Sequence, residues 1–255
     1  MYNIEAFSLE DMTHLGSQLR EMGTGAADLS ETAQRIVRHL YRSFQLKDSG
    51  REAFALVRLF VTQNYSELDR ELRGLVDELV FQNGERKPVS PETKCLKLLA
   101  TVGELPEWSD PKLSRHHRIT PLISSDLVAR SPMIARLLQQ FGLDLSRFLE
   151  TEQVENGGIF VDQEQSSFNV FYVSDAQDSP YIHAQTEFVI PFGIKSVLGY
   201  GGVLSAGHIF AVILFSRAPI SKDMAQRFKP LALSTKNALI HVSGTRVQST
   251  QQVTK

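Results

Sequence analysis

Apolar positions recur at spacings of three and four residues through the first third of the chain, then alternate with polar ones through the last third. That change of period separates helices from strands. Leu9, Met12, Leu15, Leu19 and Met22 form one stripe, which predicts a short amphipathic helix over 8–22, ended by Gly23 and Gly25. A second helix starts at Asp28, three residues before Glu31 as in a capping box, and carries Leu29, Ala33, Ile36, Val37, Leu40, Tyr41 and Phe44 on one face. Residues 53–61, after the Asp48-Ser49-Gly50 break, are too apolar for an edge strand and too few for a helix, so they read as a central strand. Leu68, Leu72, Leu75, Val76 and Leu79 predict a further helix, and 95–102 a further strand. The polar stretch 104–120, with Pro106 and Pro111, reads as a long loop. Ser131-Pro132 opens a helix through Ile134, Leu137, Leu138 and Phe141 that Gly142 closes.

In the alternating part, 159–161 and 168–173 predict two strands around a polar turn, and 188–190, before Pro191, a short third. Residues 195–204 and 208–216 predict a hairpin joined by Ser205-Ala206-Gly207. A final helix starts near Ser221, with Ala225, Phe228, Leu231, Ala232, Thr235 and Leu239 inward and Pro230 weakening its first turns. Beyond Ser243-Gly244 the tail is polar and reads as frayed. Strands in runs, rather than in strict alternation with helices, predict an α+β fold with helices packed on an antiparallel sheet.

Composition removes several function classes. Over 255 residues the chain is 42% hydrophobic and 22% charged, which fits an ordinary globular protein and not a disordered or rod-like one. Its 27 Lys and Arg against 29 Asp and Glu give a net charge of -2, so no general attraction to nucleic acid or anionic membrane is built in. The longest apolar run, 209–215, is far short of the roughly 20 residues that span a bilayer. The start, Met1-Tyr2-Asn3-Ile4-Glu5, lacks a basic, then apolar, secretory signal, so the expected location is the cytoplasm. One cysteine, Cys95, excludes an internal disulfide, a two-thiol mechanism within the chain and a Cys-rich metal site.

The hairpin Ser196-Val197-Leu198-Gly199-Tyr200-Gly201-Gly202-Val203-Leu204 and Gly207-His208-Ile209-Phe210-Ala211-Val212-Ile213-Leu214-Phe215-Ser216-Arg217, followed by Pro219-Ile220-Ser221-Lys222-Asp223 and the helix through 231–239, resembles the closing part of GAF-type sensory domains. The helix from Asp28 and the strand from Ala53 match that family's opening. The resemblance implies a GAF-like domain over 28–242, a helical extension over 1–27 and a polar tail over 243–255. It further implies a five- to six-stranded antiparallel sheet with N- and C-terminal helices on one side and a ligand pocket on the other. Those helices commonly form a homodimer that passes a signal to an output such as a histidine kinase in a bacterial two-component system. The partners it implies are therefore a small-molecule ligand and a signalling output protein, with no catalysis in this chain.

Several residues are candidates for chemistry. Arg115-His116-His117-Arg118, downstream of Trp108, could hold a phosphate or another anion, or could form a solvated basic loop. His183, beside Tyr181, falls where the resemblance places a pocket wall; a haem ligand is conceivable there, but a packing histidine is the plainer reading. Tyr172, on the strand with Phe171, completes the expected ligand-binding set of Trp108, Arg115, His116, His117, Tyr172 and His183. Cys95 reads as a buried structural thiol. Bilin-carrying members of the family attach through a cysteine usually followed by histidine, whereas Leu96 follows here, and neither haem nor bilin is expected. Gly199-Tyr200-Gly201-Gly202 runs from strand into strand, which removes a P-loop and points to a bulge or a close backbone approach. No Gly-x-Ser-x-Gly elbow or His-Glu-x-x-His pair is present. Two alternatives stay open: a small enzyme using His116, His117 or His183 as general base, and a protein-only scaffold whose pocket is filled by phenylalanines.

Overall fold

The computed structural model describes residues 1–114, 117–140, 170–204 and 207–250. The capping signals act where the sequence places them. Ser8 and Asp11 form a reciprocal capping box that opens α1, Leu9–Glu21. Asp28 accepts from the Glu31 amide at 2.8 Å and opens α2, Leu29–Ser43, while the Glu31 carboxylate accepts from the Ala27 amide at 2.7 Å. Two short strands, β1 at Tyr2–Asn3 and β2 at Phe44–Gln45, pair in parallel and tie the N-terminus to the end of α2. Two residues per strand leave no periodicity to read.

The central strand is β3, Phe54–Asn64, followed by α3, Arg70–Gln82, and β4, Lys94–Gly103. The long loop is more ordered than its composition suggests. It carries 3-10 turns at Pro106–Ser109 and Pro111–Leu113, each begun by its proline, and a third strand, β5 at Ile119–Pro121, on the edge of β4. Helices α4, Ser125–Ala129, and α5, Pro132–Gln140, follow. The expected strand at 159–161, residues 168 and 169, and Phe141-Gly142 lie outside the described residues.

Past β6, Val170–Val173, the segment expected to be a strand at 188–190 is instead a π-helical turn, Gln185–Val189. Both sides of β7, Ser196–Val203, are taken, by β6 and by β8, Ile209–Ser216, so that strand offers this segment no edge. The turn satisfies its own backbone, with the Val189 amide donating to Ala184 at 3.0 Å and that of Ile190 to Gln185 at 2.9 Å. At the C-terminal end, α6, Lys222–Gln226, stops in a turn over 227–230, and α7, Leu231–Thr250, starts directly after Pro230. Helix α7 continues through Ser243 and Gly244, because one interior glycine costs only about 1 kcal/mol.

All six long-sheet strands are antiparallel, in the order β5-β4-β3-β8-β7-β6. Alternation gives the sheet two buried faces. On one, Val57, Leu59, Tyr200, Val212 and Leu214 meet α1, α2 and α7 through Leu15, Leu19, Ile36, Val37, Leu40, Leu231 and Leu239. Ile4 and Phe7 share that core, so the first residues are packed with the rest. On the other, Leu56, Phe60, Phe171, Val197, Ala211, Ile213 and Phe215 are covered by α4, α5, the π-helical turn and Trp108. Cys95 is buried in a third cluster with Leu72, Val76 and Ile119, and burial pushes its thiol up to about 12, as expected for a structural cysteine.

Two histidines make the fold acid-sensitive. Burial, aided by His14, pushes His39 below its ordinary value, and burial, aided by Lys94 against Glu67, does the same for His208. Both rings are therefore neutral in the fold, while the unfolded chain protonates them near pH 6.5. Below that pH the unfolded state binds more protons, so stability is complete above about pH 6.5 and declines as pH falls through the lower folded values. Urea midpoints should drop between pH 7.5 and pH 5, and the paired change His39→Gln, His208→Asn should flatten the slope. A wild-type midpoint level over this range contradicts the account.

Candidate ligand-binding site

Strand β3 carries one charged side chain, Arg58, between Val57 and Leu59. Register places it opposite Thr101 of β4 on one side and Ile213 of β8 on the other, and the same row continues through Gly199 of β7 to Phe171 of β6. Cross-strand partners share a face, and here it is the face away from α1, α2 and α7. Phe60, Ala211 and Phe215 flank this row, Leu96 joins from β4, and Met133, Ile134 and Leu137 of α5 close over it. Together with His117 at the rim they enclose a cavity of about 10 Å³, room for one water.

The polar groups along this row are incompletely matched. Arg58 Nη2 donates to Ser114 Oγ at 3.2 Å, while its Nε is buried without a partner, as is Oγ1 of Thr101 in the next strand. Burial lowers the guanidinium to about 10, so it remains charged at neutral pH. Among the described residues no carboxylate forms an ion pair with it.

An aromatic cap lies alongside. Trp108, the only tryptophan in the chain, packs on Phe192 with ring centres 4.5 Å apart and on Phe188 at 5.5 Å, and Phe188 in turn meets Phe215 at 4.9 Å. The indole covers Gly103, where an added Cβ would come 2.6 Å from Trp108 Cε3 and 2.8 Å from the Ala55 carbonyl oxygen. Only glycine admits the cap that closely. Helix α5 is pinned by Arg136, whose Nη1 donates to the Tyr181 hydroxyl at 2.9 Å and whose guanidinium lies 4.4 Å from that ring.

The six sequence candidates fall in different places. His117, held at a positive φ of 60°, lines the cavity rim, and Trp108 belongs to the adjoining cap. Tyr172 points to the opposite face, where its hydroxyl donates to the Ile220 carbonyl, because it alternates with Phe171. His183 is exposed in the turn before the π-helical segment and does not line the cavity. Arg115 and His116 lie outside the described residues. The glycines of β7 serve a close approach: a Cβ on Gly199 would stand 2.8 Å from the Val212 carbonyl oxygen. The register of β7 on β8 is continuous, and the irregularities lie in β3 instead. Arg58 and Thr101 were not singled out by pattern, although one arginine inside a nine-residue apolar strand is itself the available signal.

Among the described residues no group of His, Cys, Asp or Glu is placed to hold a metal ion, and no helix is long and apolar enough to cross a membrane. No family model and no curated protein matches the chain. Solved structures similar to it include a free methionine-R-sulfoxide reductase from Neisseria meningitidis, at TM-score 0.47 and 10% identity over 93% of each chain. They also include the GAF domain of a phosphoenolpyruvate-protein phosphotransferase from Coxiella burnetii, at TM-score 0.45 and 10% identity over 95% of this chain and 99% of that one. A bacteriophytochrome from R. palustris is similar at TM-score 0.45 and 10% identity, over 96% of this chain and 39% of that one. The architecture itself is a six-stranded antiparallel sheet with its N- and C-terminal helices on one face, the arrangement that the resemblance to GAF-type domains implies.

Proposed function

We propose that this chain is a non-catalytic, cytoplasmic sensory domain that binds a small molecule between the sheet and α5 and reports it through its terminal helices to a signalling output such as a histidine kinase. The observation that carries this reading is the cavity on the Arg58 row, which sits across the sheet from α1 and α7. One route through the sheet is short. Gly199 lies in the row of Arg58, and its neighbour Tyr200 reaches the other face, where its hydroxyl is 3.2 Å from Thr235 Oγ1 of α7. A ligand that binds one arrangement of β7 better than another then shifts α7 by that difference in affinity. Homodimerisation through the terminal helices supplies the geometry in which such a shift is read.

The small volume of the cavity, about 10 Å³, favours a second reading in which the pocket is filled and the domain binds only protein. A native mass spectrum of the chain purified without added ligand separates the two. A dimer carrying a defined extra mass supports the sensor, whereas a bare dimer supports the protein-only scaffold and a bare monomer removes the helix-mediated dimer.

A further inference from the structure

We propose that the cavity on the Arg58 row binds a small monocarboxylate with a short apolar tail, its carboxylate held by Arg58 and Thr101. This rests on the sensory reading above and names the ligand class. Two buried polar groups without partners stand side by side in the structure. Arg58 Nε and Thr101 Oγ1 belong to residues directly opposed across β3 and β4, so both project from one face about 5 Å apart at their Cβ atoms. Orphaned buried polar atoms are few in native proteins, and two in one cross-strand pair call for a common partner. Both can donate to an oxygen, and an arginine fork suits a carboxylate.

Charge gives the same sign. Arg58 remains a cation inside a cavity whose other walls, His117 at the rim apart, are apolar side chains such as Phe60, Leu96, Ile134, Leu137, Ala211 and Ile213, and among the described residues its hydrogen-bond partner is Ser114. A buried cation without a counter-charge is costly, and an entering anion offsets that cost in a way a neutral ligand does not. Away from Arg58 and the rim His117, the apolar walls select against inorganic anions, whose further oxygens would meet Phe60, Leu96, Ile134 and Leu137 with no donor there. With room for one water, the cavity takes a carboxylate only when Met133, Ile134 and Leu137 give way, so binding displaces α5.

Trp108 provides the readout, being the only tryptophan and packed in the adjoining cap. Acetate, propionate and butyrate are titrated at constant ionic strength, following Trp108 emission and the thermal midpoint, with propionamide and inorganic phosphate in parallel. The carboxylates should give saturable shifts that strengthen with tail length, and propionamide and phosphate should give none. Arg58→Met should weaken carboxylate binding by roughly tenfold or more. Thr101→Val, which keeps the side-chain shape, should weaken it several-fold and carries the test if Arg58→Met does not fold. Equal response to propionamide, equal response to phosphate, or unchanged affinity in Thr101→Val and a folded Arg58→Met overturns the proposal. A neutral molecule retained in the native mass spectrum and not displaced by these carboxylates also overturns it while leaving the sensory reading intact. A bare dimer there, with no response to any of these carboxylates, removes the sensory reading together with the proposal, whereas a bare monomer removes only the helix-mediated dimer.

Discussion

Phe44→Ala should lower folding stability by about 3–5 kcal/mol, the usual cost of removing a fully buried phenylalanine and leaving a cavity. Phe44 is wholly inaccessible and is the hub of an aromatic cluster, with ring centres 5.5 Å from Tyr2, 5.0 Å from Phe7, 5.2 Å from Phe54 and 5.5 Å from Phe228. These partners come from β1, the segment before α1, β3 and the turn before α7, so one ring joins the N-terminal segment and the entry to the last helix to the central strand. Collapse around the vacancy is opposed on every side, because Phe7 also packs on Phe228 at 5.2 Å. Urea unfolding followed by far-ultraviolet dichroism measures the loss. The same substitution at Phe81, which is 85% exposed, should change stability by less than about 0.5 kcal/mol. A Phe44→Ala value near that of Phe81→Ala would show that the cluster is not a single packed unit.

The long amphipathic helices and the central strands were legible because each buries a face whose period is written in the sequence. Asp28 and Glu31, the strands Ser196–Val203 and Ile209–Ser216, and the buried Cys95 all lie where side-chain pattern alone settles the local choice. The elements that escaped are those formed by pairing or by context. β1 and β5 are two and three residues long and exist only because another strand supplies an edge. The segment at 188–190 has a strand's composition, but both neighbouring strand edges are occupied, so it closes on itself.

The site was less legible than the fold. The strand of Tyr172 borders the pocket, yet a one-residue alternation sends Phe171 to the cavity face and Tyr172 to the helices. Polar residues in loops drew attention to His117 and His183, of which only His117 lines the cavity. Arg58, which gives the cavity its charge, and Thr101, which carries the unmatched hydroxyl opposite it, sit within strands that otherwise read as core. They become neighbours only through the β3–β4 register, which no local pattern encodes.

Register also creates the second large expected effect. Arg217→Ala should destabilise the fold by about 3–5 kcal/mol, because it breaks a buried ionic and hydrogen-bonded junction from one side. The Arg217 side chain is only 5% exposed. Its Nη1 donates to the carbonyls of Glu52 at 3.1 Å and Phe54 at 2.8 Å, and its Nη2 pairs with Glu104, which also holds Arg51. The start of β3, the residue after β4 and the residue after β8 are thus clamped at one end of the sheet by a single guanidinium. Removing it leaves two carbonyls without this donor and Glu104 with Arg51 alone, whereas Glu104→Gln leaves Arg217 its two carbonyls and alters a side chain that is 34% exposed. The glutamine change should therefore cost less, about 1–2 kcal/mol, with the solvent-facing pair to Arg51 contributing little of it. Arg217→Met, which retains the apolar stem, separates packing from the polar clamp and should recover only a minor part of the alanine loss. Urea midpoints for the three variants in low and high salt decide the matter: the Arg217 effects should persist in salt, since buried pairs are weakly screened. An Arg217→Ala loss below about 1 kcal/mol, or one that vanishes in salt, would show that the junction is a surface ion pair and not a structural clamp.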